Sequence, residues 1–285
     1  MSDITCTLSQ LFVHPIKSCA GIELREALLT ETGLDLDRAW MITDAQGMMV
    51  TQRQLPRMAL IRTQLRSSDL VLRAPGMLTL HLRLDTVETK TRVTVWSDPV
   101  DAYEMGALAH QWCSDFLGVA GLRLVRFDPD QRRLSEPKWA GAIQAENAFS
   151  DGFPLLVASS ASLAELNRRL AAAGEAPVTL QRFRPNLVLE GLDKPHDEDF
   201  IDELDITTED GPVRLKLVKP CVRCSIPDVD PASGEAGNAV GRALAAYRAD
   251  ARMGGGITFG MNAVIVEGIG RALRAGAAVS AQFAV

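Results

Sequence analysis

The chain has 285 residues, of which 47% are hydrophobic and 23% are charged, so it can bury a large core in one or two domains. This composition excludes disorder as the main description. The 36 acidic and 30 basic side chains give a formal net charge of −6, which argues against a broad cationic surface for phosphate backbones. We therefore predict no nucleic-acid partner.

The sequence contains no apolar run near the roughly 18 residues that a membrane-spanning helix needs, and its first residues lack a secretory signal. We expect a soluble, cytoplasmic protein with no membrane span. The five cysteines are an odd number, and only Cys221 and Cys224 lie close together, unlike the dense framework of a small secreted domain. Cysteine is thus expected to serve chemistry rather than to cross-link the chain.

Short extended segments separated by turn residues dominate the first hundred residues. Several of them alternate apolar and polar positions, as a half-buried strand does. The segments are residues 11–13, 39–43, 48–51, 60–65, 70–73, 78–84 and 92–96. The turn Asp44-Ala45-Gln46-Gly47 between two of them predicts a hairpin. This part of the chain is predicted to form a small barrel or sandwich.

Helical spacing first occurs at Leu108, Trp112 and Phe116, with Gly118 where a helix would end. The next segment, residues 122–127, is predicted to be extended and to complete the first unit. The following segment, up to residue 150, shows no clear period and is predicted to be a linker or a loop beside a cofactor. The chain is therefore divided into residues 1–128 and residues 129–285.

The second unit opens with an apolar run at residues 155–158. Ser162 and Glu165 predict a capping box for the helix that follows, and Gly174 would end that helix. One more short helix is predicted near residues 243–247. Further strands are predicted at residues 186–190, 204–207, 213–218 and 263–266. Together the two units predict an α+β, strand-rich fold.

The strongest local motif is Lys219-Pro220-Cys221-Val222-Arg223-Cys224. Two thiols three positions apart can hold zinc, form a redox disulfide, or leave one thiolate free for a soft metal. The sequence offers no second closely spaced pair of zinc ligands, and the motif runs into Pro227 instead of starting a thioredoxin-like helix. Two buried cysteines that pack as small hydrophobic residues stay an open alternative. Arg223 favours a functional thiol, because an adjacent cation stabilises the thiolate.

Two further motifs carry groups that suit an anionic or heterocyclic ligand. Lys17, Ser18 and Arg38 lie near predicted turns and offer ammonium, hydroxyl and guanidinium donors for a compact anion. In Arg184-Pro185-Asn186 the proline restricts the backbone, so that the Arg and Asn side chains are directed and could contact a planar heterocycle. A solvated lysine with a salt-bridged arginine, and the ordinary start of a strand, are the structural alternatives.

In this order and spacing, the three motifs resemble the two-part MOSC proteins, in which an N-terminal MOSC β-barrel domain precedes a MOSC domain. The resemblance covers nearly the whole chain. Its parts are Pro15-Ile16-Lys17-Ser18, Asp37-Arg38-Ala39-Trp40 with Gln52-Arg53, Val95-Trp96, Phe183-Arg184-Pro185-Asn186, Cys221-Val222-Arg223-Cys224 with Asp230-Pro231, and Phe259-Gly260. The fold that it implies is an N-terminal β-barrel domain followed by a MOSC β-barrel-like domain with a few helices.

Within that family, the layout is most similar to the amidoxime-reducing component type of molybdenum enzymes. The resemblance implies a molybdenum-molybdopterin cofactor between the two units, with Cys224 as the metal ligand. The residues that it implies as cofactor contacts are Lys17, Ser18, Arg38, Gly152, Phe153, Arg184, Asn186 and Arg223. At Gly152 and Phe153 the contacts are expected from backbone groups, because the segment Asp151-Gly152-Phe153-Pro154 looks like the bacterial members.

The function that the resemblance implies is the reduction of N-hydroxylated compounds (amidoximes, hydroxylamines and N-hydroxylated base analogues) by oxygen-atom transfer. Electrons are expected from a separate protein, such as a ferredoxin or a cytochrome b5-like protein, because no ferredoxin-type cysteine cluster occurs in the sequence. Asp228 is expected to be a turn carboxylate rather than a general acid. Two alternatives stay open: a sulfur-transfer protein with a persulfide on Cys221 or Cys224, and a non-catalytic molybdopterin-binding module.

Overall fold

The structure is a computed structural model that describes residues 4–86 and 89–284. Within these ranges the α-helices are α1 (Ala107–Leu117), α2 (Pro137–Ala140), α3 (Ser160–Ala172) and α4 (Ala239–Ala245). The strands are β1 (Ile4–Val13), β2 (Ile22–Leu24), β3 (Glu26–Thr30), β4 (Gly33–Leu34), β5 (Trp40–Thr43), β6 (Arg62–Leu65), β7 (Asp69–Arg73), β8 (Leu80–Arg83), β9 (Lys90–Val95), β10 (Asp98–Glu104), β11 (Arg123–Phe127), β12 (Leu155–Ser159), β13 (Leu187–Glu190), β14 (Ile201–Ile206), β15 (Val213–Val222), β16 (Ala249–Asp250), β17 (Gly256–Glu267), β18 (Ala272–Arg274) and β19 (Ala277–Phe283). Among the described helices, none has the length and apolar character to cross a membrane.

Seven strands close into a barrel in the order β12, β13, β1, β19, β14, β15 and β17, and β17 pairs again with β12. Neighbours are antiparallel except β12 and β13, which are parallel and are joined through α3, as a parallel pair requires. The interior is aliphatic: Leu8, Leu187, Leu215 and Val279 are fully buried in one core. The predicted strand-rich α+β fold with a few helices is confirmed.

The first strand of the chain lies inside this barrel. β1 pairs with β13, where Leu8 faces Leu189, and with β19, where Cys6 faces Val279. Side chains of β3 and β4 pack in the same core. The division of the chain at residue 128 stays a prediction, and any unit that contains the barrel also contains residues 4–34.

The rest of the N-terminal half forms smaller sheets around a second core. The sheet β5-β11-β10-β9 and the sheet β6-β7-β8 flank helix α1. Trp112 and Phe116 of α1 are buried in this core, at the spacing that the sequence predicts. Gly118 ends the helix in a left-handed conformation with φ 71°, as predicted.

One local prediction is wrong and one is confirmed. Helix α3 begins at Ser160, and its N-cap is Ser159, whose hydroxyl accepts the Ser162 N–H at 3.1 Å. Glu165 does not form a capping box and pairs with two arginines of its own helix. At the start of α3, a tertiary contact therefore outweighs the local pattern. The hairpin predicted at residues 39–51 does form: Thr43 pairs with Met49, and Val50 N–H donates to the Ile42 carbonyl at 2.9 Å, while β5 also pairs with β11.

Candidate functional site

One cavity lies at the end of the barrel where several motif-bearing strands begin or end. Since β1 runs antiparallel to β13, and β13 parallel to β12, the end of β1 lies beside the starts of the other two. All of the residues that the sequence analysis singles out as metal or cofactor contacts line this cavity: Lys17, Ser18, Arg38, Gly152, Phe153, Arg184, Asn186, Arg223 and Cys224. The structure therefore brings the three separate motifs together.

Lys17 is buried at one side of the cavity. Its Nζ donates to the carbonyl of Phe149 at 2.8 Å and to the Asp151 carboxylate at 2.5 Å. Burial lowers the pKa of Lys17, and the Asp151 charge opposes that shift. Desolvation by neighbouring atoms disfavours the charged form of Asp151, although its side chain is 72% exposed. Lys17 and the Trp96 indole N–H outweigh this effect and hold the pKa of this carboxyl well below its usual range. The pair is therefore an ammonium and a carboxylate.

Arg38 and Asn186 form a bonded unit on the cavity wall. The Arg38 guanidinium pairs with Asp37 and donates to Asn186 Oδ1 at 3.0 Å and to the Arg184 carbonyl at 2.9 Å. The same Asn186 oxygen accepts the Leu156 N–H, and its Nδ2 donates to the Phe12 carbonyl. The side chain of Asn186 is thus occupied by the protein, and its observed contacts position Arg38.

Arg184 is held by one hydrogen bond and keeps a free donor. Its Nη1 donates to the Cys19 carbonyl at 2.5 Å, whereas its buried Nη2 has no hydrogen-bond partner among residues 4–86 and 89–284. Burial and the nearby Arg38 lower the pKa of Arg184 to about 10, so the group stays charged at neutral pH. A buried charged donor without an acceptor is costly, and it suits a site that receives a ligand.

The two neighbouring cysteines differ in their surroundings. Cys221, on β15, receives a hydrogen bond from Arg223 Nη1 at 2.9 Å, and Cys224, beyond the strand, is exposed. The cation that the sequence analysis places beside the thiols therefore contacts Cys221 rather than Cys224. Arg223 is fixed by a further bond to the Phe183 carbonyl, and its buried Nε has no hydrogen-bond partner in the described part of the chain. The remaining three cysteines are buried in the cores, where burial raises the pKa of Cys6 to about 11 and of Cys113 to about 12.

Backbone strain is concentrated at this cavity. Six non-glycine residues of the described chain have positive φ, and four of them line the cavity: Ser18, Arg38, Trp96 and Arg184. A left-handed conformation costs an L-residue roughly 1–2 kcal/mol. Such residues cluster at functional sites, where the surrounding structure holds them in place.

The sequence analysis missed several residues of the lining. Asp151 was considered only as a neighbour of Gly152, and Arg53 and Trp96 only as parts of the family pattern. In the structure the Arg53 guanidinium lies 4.3 Å from the centre of the Trp96 ring, and the indole N–H donates to Asp151 at 3.1 Å. The sequence signal that could have identified Trp96 is a tryptophan at a position where the chain makes a tight turn. Asp228 lies outside the lining, and its carboxylate accepts the N–H of Gly241 in α4.

The segment predicted as a linker or cofactor-side loop borders the cavity. Arg133 is buried within it and donates to the carbonyls of Ala148 and Ser150, while its guanidinium pairs with Asp98 of β10. Phe149 of the same segment is fully buried. Arg133 thereby fixes the backbone that leads to Asp151 and Gly152, and the segment is a tethered wall of the cavity.

Comparisons with known families agree with this architecture. The MOSC N-terminal beta barrel domain matches residues 5–120, and the MOSC domain matches residues 144–280. The chain belongs to the MOSC family. The two matches together cover both halves of the structure, and the MOSC cavity is lined by residues from each of them.

Several curated proteins are related to this MOSC chain. The human mitochondrial amidoxime-reducing component 1 is 37% identical over 236 residues, which cover 80% of this chain and 67% of that protein. The bovine mitochondrial amidoxime reducing component 2 is 34% identical over 236 residues, which cover 80% of this chain and 68% of that protein. The human molybdenum cofactor sulfurase is 28% identical over 247 residues, which cover 80% of this chain and 27% of that protein.

The charge of the MOSC cavity is strongly positive. Its lining contains one carboxylate and five cationic side chains, and two of the cations are already paired with Asp151 and Asp37. The other three, Arg53, Arg184 and Arg223, form no salt bridge with any described residue, and two of them carry a buried N–H without an acceptor. The cavity therefore suits an anion rich in hydrogen-bond acceptors.

Proposed function

We propose that this protein is a molybdenum-cofactor-dependent oxidoreductase that reduces N-hydroxylated compounds with electrons from a separate donor protein. The observation that carries the proposal is the presence of one exposed thiol and three unpaired guanidinium groups in a single cavity. The names of the relatives support it, because two are amidoxime-reducing components and one is a molybdenum cofactor sulfurase. A metal with a phosphorylated pterin is a ligand of the matching chemistry.

The polar residues of the lining fit this cofactor. Cys224 would ligate the metal, since an exposed thiolate is a soft ligand. Lys17, Ser18 and Arg38 would hold the phosphate end. The N–H groups of Arg184 and Arg223 that lack acceptors would donate to the oxygen and nitrogen atoms of the pterin. Each of these contacts would satisfy a donor that the protein itself leaves free or only partly used.

The remaining predicted contacts would shape the cavity. A side chain at Gly152 would project into open space, so the backbone there is accessible to a ligand. Phe153 is buried and forms an apolar wall. Asn186 would act through Arg38, because its own polar atoms bond to the protein.

When bound, the cofactor would supply the two-electron oxygen-atom chemistry that amino-acid side chains lack. The chain would bind and orient it between Cys224 and the basic groups. Lys17 would keep its proton on Nζ, between the Phe149 carbonyl and the Asp151 carboxylate, and would act as a positive contact. Phe153 and Phe183 would exclude water from the apolar side of the cavity. The N-hydroxylated substrate would approach at the exposed Cys224 side.

The partner and the compartment stay predictions from the sequence. A ferredoxin or a cytochrome b5-like protein is proposed as the electron donor, and the cytoplasm as the location. The amidoxime-reducing relatives are mitochondrial by name. Reduction assays with purified donors of each class would identify the electron source.

The test is the metal content of the purified full-length chain. We expect about one molybdenum per chain in the wild type, because the cavity offers one exposed thiol, and little or none in Cys224→Ser. Cys221→Ser is the matched control, since it removes a thiol of the same cavity that contacts Arg223, and it should keep the metal. Elemental analysis measures all three proteins, and full occupancy in Cys224→Ser would contradict the assignment.

A sulfur-transfer protein is the second candidate, and the contact between Arg223 and Cys221 favours it. A guanidinium at 2.9 Å from Sγ would stabilise a thiolate or a persulfide. Cyanide-releasable sulfur in a protein without molybdenum would support this candidate. A non-catalytic binding module would instead carry the pterin and show no turnover of benzamidoxime with an artificial electron donor.

A further inference from the structure

Trp96 occupies a turn position that most L-residues avoid. Val95 of β9 pairs with Asp98 of β10, so Trp96 and Ser97 form a two-residue turn. Trp96 has φ 59°, a left-handed conformation that favours glycine or asparagine in such turns. The residue is 45% exposed, so core packing does not offset the strain. An exposed, strained aromatic residue beside a charged cavity indicates a functional position.

The contacts of Trp96 fix a cation of the cavity lining. The Arg53 guanidinium lies over its ring at 4.3 Å, and Arg53 Nε donates to Thr51 Oγ1 at 3.2 Å. The indole N–H bonds to Asp151, the carboxylate that pairs with Lys17. Stacking leaves the edge of a guanidinium free for in-plane hydrogen bonds. Arg53 is therefore oriented by its neighbours and placed on the Lys17 side of the cavity.

The charge of Arg53 has no counterion within the described protein. Its side chain bonds only to the Thr51 hydroxyl and the Trp96 ring, and it forms no salt bridge with a described residue. An oriented guanidinium with two unused Nη groups beside Lys17 and the Ser18 hydroxyl is suited to a phosphate group.

We propose that Arg53, held in place by Trp96, binds the phosphate end of the pterin cofactor. This inference rests on the proposed function and adds to the contacts that the family resemblance implies. Trp96 is the positioning residue, and Arg53 is the residue that touches the ligand. The strain at Trp96 is then the cost of keeping the guanidinium in its binding orientation.

The experiment compares retention of the pterin by full-length variants. Each protein is produced in a host that makes the molybdenum cofactor and is dialysed against inorganic phosphate, and pterin per chain is measured by fluorescence. We expect Arg53→Gln to lose pterin at a roughly tenfold lower phosphate concentration than the wild type, as the loss of one charge-assisted contact would cause. Arg53→Lys keeps the charge without the planar fork and should be intermediate.

Two further variants separate binding from folding. Trp96→Gly relieves the backbone strain, so its thermal midpoint should equal or exceed that of the wild type, while pterin retention falls as in Arg53→Gln. Arg57→Gln is the matched control, because Arg57 also stacks on an aromatic ring, that of Phe116 at 4.7 Å, but does not line the cavity. It should retain pterin as the wild type does.

The outcomes distinguish this inference from the proposed function. Wild-type retention in Arg53→Gln and Trp96→Gly would overturn the role of Arg53 while leaving a molybdenum enzyme intact. Normal retention together with a raised KM for anionic substrates alone would also overturn it, since Arg53 would then face the substrate. A wild type without pterin would instead contradict the proposed function. In that case isothermal titration with inorganic phosphate tests Arg53 alone, and equal affinity in wild type and Arg53→Gln would reject it.

Discussion

Several polar groups of the site belong to residues with a strained, left-handed backbone conformation. Ser18, Arg38 and Arg184 have left-handed backbones, and each directs a hydroxyl or guanidinium group into the cavity lining. Two hydrogen bonds fix Arg184. Its carbonyl accepts from the Arg38 guanidinium, and its Nη1 donates to the Cys19 carbonyl. Because protein contacts already enforce these conformations, we infer that the cavity is preorganised, so a ligand need not supply the energy of ordering it.

A second buried polar group predicts a pH dependence of stability. His196 lies between the rings of Tyr247 and Phe259, and both of its ring nitrogens are buried without a hydrogen-bond partner among the described residues. Burial and the nearby Arg248 lower the pKa of His196 to about 4 from the ordinary 6.5. The unfolded chain therefore binds this proton below pH 6.5, and the folded chain only near pH 4. The free energy of unfolding should fall as the pH is lowered through this window.

The variant His196→Phe should lose this part of the pH dependence. Its unfolding should take up about one proton less than that of the wild type between pH 6.5 and 4. Urea unfolding at a series of pH values measures the difference. His81→Gln, at an exposed position of β8, is the control and should follow the wild type. Identical pH profiles for wild type and His196→Phe would show that the imidazole titrates normally in the folded protein.

At the scale of single residues, the sequence indicated which charged groups matter but not how they are bonded. Lys17, Arg38 and Arg184 were selected because of their chemistry and spacing, and they do line one cavity. Their partners come from distant segments, such as Asp151 for Lys17. Arg223 contacts Cys221 rather than Cys224, because the direction of a side chain depends on where the strand ends. Such contacts follow from the tertiary structure alone.

At the scale of secondary-structure elements, closure of the barrel depends on one glycine of β17. Gly260 has φ 75°, and a Cβ atom there would lie 2.6 Å from the carbonyl oxygen of Val157 in β12. β12 and β17 are the pair that closes the seven-stranded ring. We expect Gly260→Ala to lower the free energy of unfolding by roughly 2–4 kcal/mol, because it adds a backbone clash to the strained φ.

Gly254→Ala is the matched control for this substitution. Gly254 also has a positive φ, 62°, but no atom of the residues that the structure describes lies within 4 Å of the added Cβ. Its cost should be about 1 kcal/mol, from the backbone conformation alone. Chemical denaturation of both variants measures the two values. Equal values would mean that β12 moves aside without cost and that Gly260 is not required for closure.

Elements that depend on local signals could be predicted, and those that depend on distant partners could not. The end of α1 at Gly118 follows from a glycine at a helix terminus. The start of α3 was misplaced because the hydroxyls of Ser159 and Ser162 both bond to the buried carboxylate of Glu198. That carboxylate lies far along the chain, so a pattern around Ser162 cannot reveal it.

At the scale of the whole molecule, the location of β1 predicts the behaviour of fragments. A fragment of residues 129–285 lacks β1, which separates β13 from β19 in the barrel. Two strand edges and part of an aliphatic core would then be exposed. We expect this fragment to aggregate or to lack a cooperative urea transition, which near-UV circular dichroism and denaturation would detect. A soluble fragment with a cooperative transition would show that the barrel tolerates the missing strand.

The strand content and the family could be predicted from the sequence, because alternation and short motifs are local properties. The closed order of the barrel could not, because strands β1 and β19 pair across nearly the full length of the chain. The alternating pattern of β1 indicates a strand but does not indicate its partner. That the three motifs share one cavity was therefore expected only from the family resemblance. The contacts within that cavity could be described only once the strand pairing was known.

The pairing of β1 with β19 also sets an order of events during synthesis. Thr5 of the first strand faces Ser280, so β1 leaves the ribosome long before this partner segment is synthesised. Until that segment emerges, the nascent chain carries an unsatisfied strand edge and an incomplete pocket. The barrel therefore closes only after β19 has emerged, and capture of any ligand by the closed barrel follows the synthesis of that strand.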